Sequence, residues 1–498
     1  MRKWGPLVAV CLGTFMLLLD VTIVIVALPD MAGSLGASLS ELQWVIDIYA
    51  LALAALLLGA GAAADVTGRR RMYAAGTAVF ALASLACGLA SSPALLIAMR
   101  GLQGVGGAAM FATTLSLLGS AYQGKDRSVA LGVWGAVSGA AAAIGPVLGG
   151  VLTQALDWRW IFFVNLPVSA LAIVMTLRSV PESKAQGGRR VDLAGTVAFA
   201  LFAGALTFAV VRADAEGWAS APTLATLAVA ALALAVFVVV ERRAAHPLLD
   251  LRLLRRPSFA VVMLAALAFN AAAFGVLPYT SIWLQTLLGL SPVRGGLVVL
   301  PLAVASFLVA AVGGRLLHGV SPRLVIGGGL VLIGGGTLAQ GVLDANSGWG
   351  VLVPGFVVTG IGVGLVSPAL AGAALASVPP RNAGMAGGAV NTFRQLGYAL
   401  GVAVFGTVLT ARMTDSLHGA TADAQEAAHV LAGGGAAALR GRVPDEALYA
   451  AFASGLDGAA LVAGAAGVLA GVAVLVFLRP AAATRPGPDP VRAPVHTG

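Results

Sequence analysis

Apolar runs long enough to cross a bilayer recur along the chain, punctuated by short polar connections. A helix needs about 20 mostly apolar residues to span the hydrocarbon. On that measure the pattern predicts fourteen helices, near 7–28, 44–64, 72–91, 94–119, 129–152, 160–178, 193–212, 223–240, 259–287, 295–317, 324–343, 350–376, 384–410 and 449–478. Polar stretches at 179–192, with Pro181, Gly187 and Gly188, and at 241–257, with paired arginines, set the seventh and eighth runs apart from the rest. The expected fold is an all-α polytopic membrane protein arranged six plus two plus six. Its parts would be an N-terminal six-helix bundle (1–178), an inserted helix pair with cytoplasmic linkers (179–257) and a C-terminal six-helix bundle (258–479). Two stretches read as lying outside the membrane: an Ala- and Gly-rich external loop at 411–446, expected to be partly helical, and a Pro-rich tail at 480–498, expected to be disordered.

Composition narrows the class. Hydrophobic residues make up 59% of the 498 and charged residues 10%, far from the balance of a soluble domain. With 65 glycines and only 6% aromatics, helices are expected to meet closely through small residues. The net charge of +9 is distributed by side. Only Arg159, Arg294, Arg412, Arg440 and Arg442, with Arg212 at the end of its span, face away from the N-terminal side, and Arg100 and Arg394 fall deep within spans. All other Lys and Arg lie on the N-terminal side, so the positive-inside rule predicts an even span count with both termini cytoplasmic. The basic excess is therefore a topology signal, and no nucleic-acid partner is expected. The first run directly follows Met1, Arg2 and Lys3 and is too long for a signal h-region, so it reads as a retained helix.

Cys11 and Cys87 sit in different apolar runs, which offers neither a disulfide framework nor a CxxC metal site. The five histidines fall in connections or the tail. No grouping of nucleophile, base and acid and no phosphate-binding loop is present, so neither an enzyme nor a cofactor is expected. An ion gradient then remains as the energy source.

The candidate chemistry lies in the few charges inside the spans. Asp20 is near the middle of the first, where a carboxylate costs ~2.5–3.5 kcal/mol and so needs a partner, a hydrated cavity or a proton. Arg100, seven residues into the fourth, must likewise be paired or hydrated, and Asp20 is its first-choice partner. Asp47, one turn after Trp44 near the outer end of the second span, fits either a proton or substrate entrance or an ordinary interfacial position. We group it with Asp20 and Arg100 as a proton-coupling candidate. Arg394 and Gln395, a third of the way into the thirteenth span, fit either a bridge between helices or direct substrate contact. Gln103, Asn165, Asn270, Phe274 and Asn391 complete the candidate substrate cavity.

Several motifs carry a family resemblance. Gly61, Asp65, Gly68, Arg69, Arg70 and Arg71 after the second span resemble the signature loop of the major facilitator superfamily. In that fold Asp65 would latch one conformation by meeting the start of the thirteenth span near Ala383 and Gly384, whose dipole favours a carboxylate. Arg100, Gln103, Gly104 and Gly106 resemble the superfamily's fourth-helix antiporter motif, whose Arg is thought to serve proton transfer. Gly132, Gly145, Pro146, Gly149 and Gly150 resemble its fifth-helix antiporter motif, with Ala141 where Gly is usual. Asp20, Thr22 and Pro29 with Ile25 in place of the usual Asn, Trp158 to Pro167, and Asn391 to Gly397 resemble the fourteen-span drug/proton antiporter branch.

The resemblance implies alternating access, with proton and substrate competing for Asp20, and partners limited to small molecules, protons and the lipid bilayer. It implies a monomer in the bacterial cytoplasmic membrane. The alternative is a proton-coupled uptake symporter of the same fold. A weak internal repeat supports two related halves: Gly61 to Asp65 has an echo at Gly314 to His318, and Gly104 to Ala108 an echo at Gly360 to Gly364.

Overall fold

The computed structural model describes residues 3–37, 39–184, 192–245, 247–316, 319–379 and 382–478. The tail beyond, half of the first linker (185–191) and the loop echo around His318 lie outside them. Helices account for nearly all the regular structure. The first set comprises α1 (Gly5–Leu35), α2 (Leu39–Thr67), α3 (Arg69–Gly88), α4 (Pro93–Ala121), α5 (Gly124–Ala155), α6 (Trp160–Phe163) and α7 (Asn165–Ser179). Next come α8 (Leu193–Glu216), α9 (Ala221–Arg243) and the single turn α10 (Leu251–Leu254). The last set is α11 (Pro257–Phe274), α12 (Leu277–Ile282), α13 (Pro292–Leu316), α14 (Pro322–Leu338), α15 (Leu352–Ala376), α16 (Ala383–Leu417), α17 (Ala424–Ala432), α18 (Ala436–Leu439) and α19 (Asp445–Phe477). Among the described residues twelve stretches are long and apolar enough to cross a membrane, and the shorter α14 is apolar too.

Local chemistry sets many of the boundaries. Ser92 caps α4 by accepting the N–H of Leu95, with Pro93 opening the helix, and Asp192 caps α8 by accepting the N–H of Gly195. Such side chains satisfy amide groups that the first helical turn leaves unpaired. The tight α2–α3 turn runs through Gly68 at φ 113, a value that side-chain-bearing residues rarely adopt.

Three expectations change. The sixth apolar run is broken at Val164 into α6 and α7, and the ninth is broken at Gly275–Val276, then ends in a π-helical turn at Trp283–Leu287. Hydropathy does not register these breaks because they expose no polar side chain. The external stretch is shorter and better packed than its composition suggests. Here α16 continues to Leu417, and Ala427, Ala428 and Leu431 of α17 are buried in the cluster that contains Trp283 and Leu287. Small alanines let this amphipathic turn lie close on the bundle.

Within α1–α7 the most extensive packing is α3 on α4, α2 on α4 and α1 on α5, and within α11–α19 it is α14 on α19 and α15; the first set meets the second where α5 runs along α13 and where α16 packs on α2 and α4. The inserted pair pack on each other, and α8 touches both α2 and α16. The repeat is visible in how the sets are built. A β-carbon on Gly104 of α4 would collide with the Tyr49 backbone of α2, and one on Gly106 with the Gly76 and Phe80 backbone of α3. In the second set Gly360 of α15 meets Leu302 of α13 in the same way, and Gly362 meets Gly329 of α14. Equivalent glycines thus allow equivalent backbone contacts, as membrane helix packing through small residues requires.

Candidate functional site

The most elaborate polar cluster in the described residues surrounds Asp20, on α1. Its Oδ2 accepts from Nη1 of Arg100 on α4, and its Oδ1 accepts from Nε2 of Gln103 (2.9 Å) and Nδ2 of Asn165 (3.1 Å). Arg100 and Gln103 reach the same carboxylate because residues three apart share a helix face. Asn165 arrives from the first position of α7, just past the break at Val164. Asp20 has none of its surface exposed, and the three donors are at most 1% exposed.

The surrounding groups fix each donor. Oε1 of Gln103 accepts from Arg100 Nη1 (2.7 Å), which turns its amide nitrogen toward Asp20. Ser84 Oγ accepts from both amides, Gln103 Nε2 at 3.3 Å and Asn165 Nδ2 at 3.1 Å, and donates to the Phe162 carbonyl at 2.9 Å. Nε of Arg100 donates to the Val45 carbonyl (3.0 Å), and its guanidinium carbon lies 4.4 Å from the centre of the Tyr49 ring. A charged pair out of water persists only when further hydrogen bonds offset its desolvation. That condition is met here.

Among the described residues only donors reach the Asp20 carboxylate. A proton arriving there would remove the counter-charge of Arg100 and force the cluster to rearrange.

Two residues expected in the substrate cavity are held within the Asp20 cluster. Gln103 and Asn165 spend their amides on Asp20 and Ser84. Phe162 lies beside the same cluster, its ring facing the Arg100 guanidinium, whereas Asn270 and Phe274 lie on α11. Ser84 and Tyr49 were not singled out from sequence. Their only signal was a hydroxyl in an apolar run, which is common in membrane helices. The side chain of Asp47 lies outside the described residues.

A second group joins the two helix sets. Asp65 Oδ1 accepts from Arg69 Nη2 (2.7 Å) and Nε (3.0 Å), while its Oδ2 accepts the backbone N–H of Met385 in the first turn of α16 (3.2 Å). The carboxylate thus faces the positive end of a helix dipole. Glu182, from the linker after α7, was not anticipated. Its carboxylate accepts the backbone N–H groups of Arg70 (3.0 Å) and Arg71 (3.3 Å) at the start of α3. Gly61 of α2 is approached closely by Gly388 of α16, and a β-carbon on Gly68 would press on Glu182.

The α5 motif forms a packing face. Gly132, Gly145, Gly149 and Gly150 are buried, and Pro146 lies inside the helix. β-Carbons on Gly145 and Gly149 would strike Thr22 and Ile23 of α1, so the motif seats α5 on the helix that carries Asp20. In the second set Gly397 and Gly401 of α16 meet Leu267 and Ala271 of α11 in the same manner.

The third group centres on Arg394 of α16. Its Nε donates to Oδ1 of Asn270 on α11 (3.3 Å), and its guanidinium lies 5.1 Å from the centre of the Phe269 ring and 5.8 Å from that of Trp134 on α5. Phe274 packs edge-on against Phe269. One turn earlier, Nδ2 of Asn391 donates to the Phe111 carbonyl of α4 (2.9 Å), while its Oδ1 is buried without a partner. Gln395 is half-buried beside them in sequence and makes no hydrogen bond among the described residues.

The sequence profile described as Major Facilitator Superfamily matches residues 10–402. The chain is 39% identical to the Multidrug resistance protein Stp of Mycobacterium tuberculosis, over 82% of this chain and 76% of Stp. It is 34% identical to the Tetracenomycin C resistance and export protein of Streptomyces glaucescens, over 100% of this chain and 95% of that protein. Its backbone resembles the crystal structure of the human organic anion transporter MFSD10 (TETRAN) with a TM-score of 0.62 at 16% identity, covering 95% and 99% of the two chains, a likeness of fold. With a profile match over most of its length and relatives sharing a third or more of their residues, this chain belongs to the Major Facilitator Superfamily.

Proposed function

We propose that this transporter exports small lipophilic drugs, antibiotics or natural products across the bacterial plasma membrane in exchange for protons. Its relatives are named for multidrug resistance and for tetracenomycin C resistance and export, which marks the drug-efflux branch of the superfamily; these proteins are transporters and not enzymes. The observation that carries proton coupling is the sealed Asp20–Arg100 pair, a titratable carboxylate whose protonation would unbalance a buried charge. The same reading takes α5 and α14 as spans beside the twelve apolar stretches, giving fourteen arranged six plus two plus six with cytoplasmic termini. The protein then acts as a monomer.

The coupling we infer is indirect. Asp20 has no exposed surface and its oxygens are held by protein donors, so substrate and proton need not compete for one carboxylate. Instead, protonation loosens α1 from α4, and that movement is transmitted to the junction between the halves. The Asp65–Met385 contact supports a state closed at the end bearing Arg69 to Arg71, the cytoplasmic end in this topology. Substrate would meet the Arg394 group, with Asn270, Phe274, Asn391 and Gln395 around it.

Everted membrane vesicles energised by respiration test the reading. Dye uptake into them, collapsed by discharging the pH gradient alone, is the expected result. Dye uptake that survives discharge rejects proton exchange, and dye accumulation driven into intact cells would favour the uptake symporter instead.

A further inference from the structure

Two arginines lie deep among the long helices, and they are provided for differently. Arg100 has Asp20. Arg394, 8% exposed, forms no ion pair among the described residues. Its only hydrogen bond there is the long one from Nε to the neutral amide of Asn270, so the two terminal nitrogens donate to no described group. A guanidinium always carries its charge, and burying it unpaired is costly. The aromatic rings of Phe269 and Trp134 attract the cation through their faces but cannot accept its in-plane hydrogen bonds.

The position adds a second consideration. Trp134 belongs to α5 of the first set, whereas Phe269 and Asn270 belong to α11 of the second, so Arg394 stands at the junction of the two halves. This is where alternating movement changes access to a bound molecule. By contrast with Arg100, the charge there is left for something that arrives.

We propose that Arg394 is the charge-reading element of the substrate site, and that the exporter takes compounds bearing an anionic oxygen group, a carboxylate or an acidic phenol, on an aromatic body. The paired terminal N–H groups suit a two-oxygen acceptor in the plane of the guanidinium. Phe274, partly exposed and packed edge-on against Phe269, offers an aromatic contact to that body. This rests on the exporter reading and adds the substrate class to it. Asp20, sealed in its own cluster, takes no part in recognising that charge.

The test uses the full chain in lipid nanodiscs and two xanthene dyes, anionic 5-carboxyfluorescein and cationic rhodamine 6G, with binding read by fluorescence anisotropy. Wild type is expected to bind carboxyfluorescein, Arg394→Gln to weaken it by about tenfold or more, and Arg394→Lys to restore part of it, the loss of a charge-assisted hydrogen-bond pair. Rhodamine binding should be unchanged or improved in Arg394→Gln. Should that variant unfold, Arg394→Lys alone decides: it keeps the charge but loses the planar fork, so its carboxyfluorescein affinity must fall while rhodamine affinity does not. Failure of wild type to bind the anionic dye, or equal binding by the variants, overturns the proposal. Bound dye that energised vesicles do not move counts against the exporter reading instead, so the two failures are told apart.

Discussion

The carboxylate of Asp65 accepts the backbone N–H of Met385 at 3.2 Å, joining the first half of the molecule to the second across 320 positions of sequence. A carboxylate at a helix N-terminus contributes about 0.3–1 kcal/mol, more when partly buried, and Asp65 is 2% exposed. The same carboxylate also pairs with Arg69 across the turn that presents it. Asp65→Asn is expected to keep the fold and shift the population several-fold toward the conformation open at this end. Labelling rates of cysteines introduced on the facing ends of α2 and α16 would report the shift. Unchanged rates would remove Asp65 from the latch.

The Asp20–Arg100 pair should separate stability from coupling. Removing one member of a buried pair costs about 3–5 kcal/mol, because the other is left uncompensated. Asp20→Asn should therefore lower the thermal midpoint of the detergent-purified protein as well as abolish proton-driven export. The double change Asp20→Asn with Arg100→Gln should recover much of the stability and none of the export. Recovery of both would make the pair structural only.

Glycines on α5 should matter through α1. A β-carbon on Gly149 would lie 2.8 Å from the Ile23 carbonyl oxygen, a backbone atom with little freedom to retreat. Gly149→Val is expected to destabilise by about 1–3 kcal/mol through overpacking. The same change at Gly401, which meets Ala271 in the second half, should cost a similar amount. Thermal unfolding of the two variants measures this, and a neutral result at either site breaks the structural correspondence between α5 and α16.

Glu182 should stabilise the start of α3. It accepts two amide N–H groups there and lies 3.8 Å from the side chains of both Arg70 and Arg71. Loss of a capping group costs about 0.5–2 kcal/mol. Glu182→Ala should therefore raise amide hydrogen exchange in the first turn of α3, with export reduced only partly. Exchange equal to wild type would mean that the linker merely rests on the loop.

Much of this protein is legible in its sequence because bilayer chemistry is severe. Apolar runs marked the helices, loop arginines suggested their polarity, and Asp20 and Arg100 stood out because a charge in hydrocarbon demands a reason. Even their pairing was expected, since each was the most plausible remedy for the other. The matching glycines of α4 and α15 signal a repeat in the sequence alone.

What only the tertiary structure decided is which way the uncharged polar groups face. Gln103 and Asn165 turn to Asp20, and Asn270 goes to Arg394. Glu182 docks from a linker that hydropathy treats as mere connection, and among the described residues Arg394 meets no carboxylate. A helix that is apolar nearly all the way round carries no stripe to indicate its inner face. The partners of these groups are supplied by helices distant in sequence, 145 positions away in the case of Asn165 and Asp20. Sequence by itself determined where charge and helix must be, because those depend on local transfer energies. Orientation and partnership depend on packing between segments, and that was settled only when the helices came together.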